Sequence, residues 1–254
     1  MKQLFVFLAL GILSMNVKAQ NETDSLPYKN LNIWSYLKEY EYHALYIDAN
    51  GDTITNEKII VKPTGKVNPL QKTQTLLEYK YNYSKEDSAR IYPNIVNANK
   101  FTRKYHTIIW RKMIDEGAGE SKSSFWIHPF RINQYVLTEL APFPEVYFPI
   151  TSGDKYSGLT FIQKGWGTFK GRTKEKTFVG QPQTRTYSFG KLDSCYEFKG
   201  TSIHNKLGEN TITYYYQKDY GFTEMHYHFY NGQRIEFILD KVTTIGNESD
   251  LAKK

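Results

Sequence analysis

A chain with one cysteine cannot close a disulfide within itself, and Cys195 is the only cysteine among 254 residues. Stability must therefore come from a packed core. On a strand that thiol is expected to be a small buried hydrophobe, since no neighbouring motif supplies the base that a nucleophile needs. Long apolar runs are missing as well. The stretch from Leu4 to Leu13 falls short of the roughly 18 residues expected of a membrane span, yet it suits the core of a secretory signal. Val17-Lys18-Ala19 sets small residues for cleavage after Ala19, with Gln20 as the first mature residue. No cysteine stands there to carry a lipid, so no stable membrane span or anchor is expected after cleavage. Cleavage removes two of the 33 basic side chains and none of the 26 acidic ones, lowering the formal charge from +7 to +5. Charges of both signs are interspersed and no Lys/Arg block stands out, which excludes the electrostatic footprint of a nucleic-acid partner.

Catalytic motifs are scarce. No stretch carries a Gly-x-Ser-x-Gly elbow, and Ser121-Lys122-Ser123-Ser124 lacks the Ser-x-x-Lys spacing. No Gly-rich loop leads into a helix to cradle phosphate, and no cofactor is called for. Glu139, Glu145 and Asp154 could meet in space as paired carboxylates, but nothing singles them out.

What the sequence does contain is period-2 alternation. From Asp193 to Val242 it reads as four antiparallel strands in a meander. In the last, Ile235, Phe237 and Leu239 share one face while Arg234, Glu236 and Asp240 share the other, with Ile238 the one apolar residue on the polar side. In the strand before it, Met225, Tyr227 and Phe229 oppose Glu224, His226 and His228, and Tyr230-Asn231-Gly232 makes the corner. Earlier, Trp34 to Tyr46 and Thr53 to Lys62 form a hairpin over Asn50-Gly51, with Pro63 ending the return strand. Thr75 to Tyr83 puts Leu77, Tyr79, Tyr81 and Tyr83 on one face. Ser84 and Asp87 cap a short helix through Ile91. Tyr105 to Arg111 and Phe125 to Ile127 read as strands flanking a Glu116 to Ser121 loop, and Asn133 to Leu140 as another strand. Three prolines from Pro142 to Pro149 forbid a central strand there, while the aromatics among them argue for packing across an apolar surface. Gly165 to Gly171 suggests a bulge or sharp bend in a strand.

The compositional excess is aromatic, with 21 Tyr, 15 Phe and 4 Trp. Most are expected to fill the core of a large antiparallel sheet. Trp126, Phe130, Phe143, Tyr147, Phe148 and Trp166 sit beside prolines or glycines, where irregular backbone builds the mouth of a pocket, and they are the candidate ligand-binding residues. The candidate metal ligands are His226 and His228 with Glu224, because residues two apart on a strand project to one side. The competing reading is a polar outer sheet face paired with Arg234, Glu236 and Asp240.

Tyr214 to Phe222, followed by His226 to Phe237, resembles the closing strands of periplasmic half-barrel proteins of the lipoprotein-carrier type. The signal and the Gln20 start also resemble those of uncharacterised exported proteins of Gram-negative bacteria. The resemblance implies hairpin strands returning beneath a concave apolar surface.

The expectation is an all-β protein with minor helix: a single curved antiparallel sheet, a half-barrel or open barrel, ending in the meander. Its divisions are a signal peptide at 1–19, a poorly ordered lead-in at 20–31, one β domain at 32–243 and a solvated tail at 244–254. Three functions stay open. The chain is a non-enzymatic periplasmic or secreted protein holding an amphiphilic small molecule or partner segment on a concave aromatic surface. Alternatively it is an accessory or inhibitory protein with a plugged sheet that contacts another envelope protein, or it is a metal-dependent or carbohydrate-active enzyme.

Overall fold

Alternating burial shapes nearly every strand of the computed structural model, which describes residues 31–89 and 111–245. The expected signal peptide, almost all of the lead-in, the end of the helix at Ile91, the strand from Tyr105 and most of the tail lie outside those residues. Among the described residues twelve strands form one antiparallel sheet. They are β1 (Lys38–Ile47), β2 (Thr53–Val67), β3 (Thr75–Asn82), β4 (Met113–Glu120), β5 (Ser124–Ile127) and β6 (Glu145–Tyr147), followed by β7 (Lys155–Ile162), β8 (Gly171–Tyr187), β9 (Gly190–His204), β10 (Gly208–Gln217), β11 (Gly221–His228) and β12 (Arg234–Thr244). The order across the sheet is β6-β5-β4-β3-β2-β1-β12-β11-β10-β9-β8-β7, two meanders joined where β1 pairs β12. Consecutive strands therefore neighbour one another in both halves, and among the described residues the free edges are β6 and β7. The sheet is curled but not closed, as an open barrel.

The expected core faces hold. Ile235, Phe237, Leu239, Met225 and Tyr227 have no exposed surface, and neither do Leu77 and Tyr79. Ile238, on the opposite face, packs against a small outer cluster of Tyr187, Leu192 and Cys195. Cys195 is fully buried there, and burial pushes its thiol pKa up. The helix at 85–89 begins where the capping pattern put it, with the Asp87 amide donating to Ser84 Oγ at 2.9 Å.

Five local expectations are corrected by tertiary contacts. Trp34 precedes β1 instead of opening it, because the Glu120 carboxylate accepts its backbone amide and those of Asn32 and Ile33 at 2.7 to 3.1 Å. That contact folds the Trp34 indole inward to stack on Phe125, ring centroids 5.1 Å apart. Pro63 does not end β2. Pairing with β1 stops at Val61, so Pro63 has a neighbour only on the β3 side, and a strand bordered on one side tolerates its missing N–H. Glu116 to Glu120 lies in β4, not in a loop. A Cβ on Gly119 would lie 2.1 Å from the indole nitrogen of Trp126, directly across the ladder, so the glycine seats a ring instead of bending the chain. Gly119→Ala is expected to cost about 1–3 kcal/mol by overpacking, read as a lower urea midpoint at unchanged slope.

The other two corrections concern helical turns. Asn133–Leu140 is a 3-10 helix, not a strand. Its side chains are buried on several sides at once, which defeats a period-2 reading. Lys164–Phe169 is also 3-10, broken at Gly167 where φ is +61°, so the glycine repeat marks a turn between β7 and β8 instead of a bulge within a strand. In the Pro-rich segment only Glu145–Tyr147 pairs, as a three-residue edge strand.

Candidate functional site

The segment from Phe130 to Pro142 fills the concavity. Phe130 is fully buried and presents its ring edge-on to Tyr42, Tyr79 and Phe237 at 4.8 to 5.3 Å between centroids. Tyr135, also fully buried, meets Phe237 at 5.1 Å and Tyr81 at 6.2 Å. Further along, Ser202 on β9 donates its hydroxyl to the Leu140 carbonyl, and Thr138 donates to that of Tyr135 at 2.9 Å. A Cβ on Gly200 would meet Pro142 at 3.2 Å, so glycine there lets the segment lie directly on the sheet. The inner face is thus covered by the chain's own aromatic and proline residues.

Polar groups tie this plug to the sheet. Arg131 donates Nε and Nη2 to the Glu116 carboxylate on β4 at 3.3 and 3.0 Å, and Nη1 to Glu139 at 3.2 Å. Its guanidinium also lies 6.0 Å from the Phe143 ring centroid and 5.7 Å from that of Trp166. Burial pushes Glu139 up to about 7 although Arg131 opposes the shift, while burial beside Arg131 holds His128 down to about 4, a neutral imidazole. At the other end of the plug, Gln134 and Tyr135 donate to Oε1 of Glu57, and Oε2 has no partner among the described residues. Desolvation raises Glu57 to about 7 against those hydrogen bonds.

A carboxyl whose folded pKa is raised contributes stability that is complete below its ordinary value near 4.5 and is lost as pH climbs to about 7. Glu57→Gln removes that dependence. Its stability relative to the parent is expected to grow by on the order of 3 kcal/mol between the two pH limits, measured by urea unfolding of both proteins across the range. A constant difference would show that Glu57 stays ionised in the folded chain.

The candidate ligand-binding residues separate. Phe130 is core, Trp126 lies over Gly119 with its ring edge-on to His128 at 5.3 Å, and Phe148 packs on Tyr216 at 5.8 Å. Trp166 sits against Arg131 as described. Phe143 and Tyr147 alone line a cleft of about 210 Å³ at the seam between the free edges. Across it Tyr147 of β6 meets Tyr156 of β7 at 4.9 Å, and Glu145, Glu175, Lys176 and Tyr214 are among its polar lining. Tyr214 donates its hydroxyl to the Glu145 carbonyl at 2.7 Å, tying β10 to β6 beneath the opening. Sequence reasoning did not find this cleft, because it exists only once strands at opposite ends of the sheet meet. Of the three carboxylates considered for glycoside chemistry, Glu139 is bound to Arg131 inside the plug and Glu145 lines the seam.

The candidate metal trio lies on the convex face of β11. Glu224 is buried, and its carboxylate accepts Arg185 Nε and Nη2 at 2.9 and 2.6 Å and contacts His226 Nε2 at 2.8 Å. Burial alone would raise Glu224, but hydrogen bonds from His226, Arg185 and Tyr187 outweigh it and hold the carboxyl at about 2. Arg185 in turn stacks 4.1 Å from the Tyr215 ring centroid. His226 Nδ1 lies 3.8 Å from Glu236, and His228 is exposed. Glu224 and His226 are drawn into a polar chain with Arg185 and Glu236 that does not include His228, and among the described residues no group of three or more His, Cys, Asp or Glu is placed to hold a metal. Arg185, thirty-nine residues from Glu224, is the partner that strand spacing could not reveal.

No protein-family model matches the chain, and no curated protein matches it. Among solved structures, it is similar to a presumptive exported protein with a YmcC-like fold from Bacteroides fragilis, at 9% identity and a TM-score of 0.45 over 81% of this chain and 95% of that one. A presumptive lipoprotein from Parabacteroides distasonis gives 13% identity and a TM-score of 0.42 over 81% and 94%. The hypothetical lipoprotein YmcC from Escherichia coli gives 8% and 0.33 over 87% and 90%. The chain thus bears a weak structural resemblance to uncharacterised exported and lipoprotein chains with the YmcC-like fold.

Proposed function

We propose that this chain is a non-enzymatic exported protein that acts as an interaction module, taking an extended partner segment at the open seam. The observation that carries this reading is the plug. With Phe130 and Tyr135 filling the concavity, an amphiphile of lipid size finds its place already taken by the chain itself. What stays available is the edge. β7 is eight residues long and among the described residues pairs only with β8, so its outward backbone groups find no ladder partner there, and an added strand would satisfy them. Beside it the cleft offers the Phe143, Tyr147 and Tyr156 rings as contacts for alternate side chains. Export rests on the amino-terminal signal pattern in the sequence.

Two measurements test the proposal. In thermal shift against fatty acids, lysolipids and detergent monomers, the full chain is expected to show no saturable rise in melting temperature. A photocrosslinker placed at Tyr147 is expected to trap a protein of defined mass in the cell envelope, while the same probe at His228 on the convex face does not. Saturable stabilisation by an amphiphile, with no adduct at Tyr147, would restore the ligand-carrier reading.

A further inference from the structure

The outer face of β7, β8 and β9 carries a pattern that neither the core nor the seam explains. Residues directly opposite on paired strands share a face. Leu159 faces Lys174, and Lys174 faces Ile203; Phe161 faces Arg172. Two residues further on, Ser157 faces Lys176, and beyond it Lys155, Phe178 and Lys199 form one row. All four apolar side chains are open to solvent, Phe161 by 68%, Ile203 by 54%, Leu159 by 50% and Phe178 by 41%. The five cations among them are exposed too. Lys199 pairs with Glu197 at 3.0 Å, and among the described residues Lys155, Arg172, Lys174 and Lys176 have no ion pair. Glu175 and Thr173 of the same strand turn to the other face, half-buried and buried.

From this juxtaposition we infer that the β7–β9 outer face docks on an anionic phospholipid surface. The rows of Lys174 and Arg172 separate Leu159 and Phe161 from Ile203, so the face has no continuous apolar patch of the kind that forms the dry centre of a protein interface. A bilayer surface accepts that mixture. Isolated apolar tips enter the headgroup and acyl boundary while neighbouring ammonium and guanidinium groups lie among the phosphates. The charge is complementary to such a surface, and the face reaches the β7 edge of the sheet, where Phe161 is the most exposed of the four apolar residues. Of the outward residues only Ser157 and Lys176 also border the cleft, whose Tyr156, Thr160 and Thr177 alternate with the outward residues along β7 and β8.

Vesicle flotation of the full chain tests the inference. Binding is expected to phosphatidylcholine vesicles containing phosphatidylglycerol, not to phosphatidylcholine alone, and to weaken with added salt. Each cation removed is expected to lower partitioning about fivefold, so Arg172→Gln with Lys174→Gln, neither of which lines the cleft, loses about 25-fold. Phe161→Ser is expected to lose about tenfold by withdrawing its ring from the acyl boundary. Lys80→Gln, on β3 in the other half of the sheet, controls for net charge and should lose little. These side chains are exposed, so the variants should keep the parental melting temperature. Equal binding to neutral vesicles, equal loss in the Lys80 variant, full binding by Phe161→Ser, or no flotation while an acidic protein binds this face would each overturn the inference. None of these results depends on whether the seam takes a partner segment.

Discussion

Phe130→Ala is expected to lower the unfolding free energy by about 3–5 kcal/mol, the cost of a fully buried aromatic replaced by a cavity. The ring touches β1, β3 and β12 through Tyr42, Tyr79 and Phe237, so it joins the two meanders across their inner faces. Each edge-on contact adds about 0.5–1.5 kcal/mol beyond area burial, which places the loss toward the upper end. Phe130→Leu keeps most of the volume and should cost much less. The measurement is urea unfolding of parent and both variants, with the slope checked for constancy. A further consequence separates a plug from a passive cover. The cavity left by Phe130→Ala should admit small apolar molecules that the parent refuses, seen as stabilisation of the variant alone. A loss below about 1 kcal/mol would mean that the segment is a surface strap, and the case for a filled concavity would fall.

Arg131→Met should cost about as much by a different route. Removing the guanidinium leaves Glu116 and Glu139, with side chains only 10% and 9% exposed, facing each other without a cation. Breaking a buried pair in this way is expected to cost about 3–5 kcal/mol, because the stranded charges keep their desolvation penalty. Adding Glu116→Gln and Glu139→Gln to Arg131→Met should recover most of the loss, since the triple variant strands no charge. The single variant should also recover in part on acidification, as its unpaired carboxyls take up protons. Both are read by chemical unfolding near pH 5 and pH 8. An equal loss in the single and triple variants would place the worth of Arg131 in its packing against Phe143 and Trp166 instead of its charge.

The carboxy-terminal half was the most legible part of the chain. Ile235, Phe237 and Leu239 alternate with Arg234, Glu236 and Asp240, Ile238 excepted, because that meander covers one face with core and leaves most of the other to water. Asn133 to Leu140 was misread for the opposite reason. A turn enclosed by a curled sheet buries its polar residues along with its apolar ones, and such a segment carries no period that separates helix from strand. Glycine misled in β4 because the same residue that loosens a turn also makes room for Trp126. Of the six candidate aromatics, only Phe143 and Tyr147 line the seam, and nothing in their local sequence distinguishes them from Phe130.

Backbone alternation, turn residues and the lone cysteine determined by themselves that this chain is an antiparallel β protein with a core built from tyrosine and phenylalanine. Which edges stayed free, what filled the hollow, and which cation met Glu224 were decided by tertiary structure. The physical reason is range. Alternation is set by each residue and its immediate neighbours, whereas curvature brings β6 to β7 and Arg185 to Glu224 only after every strand between has paired.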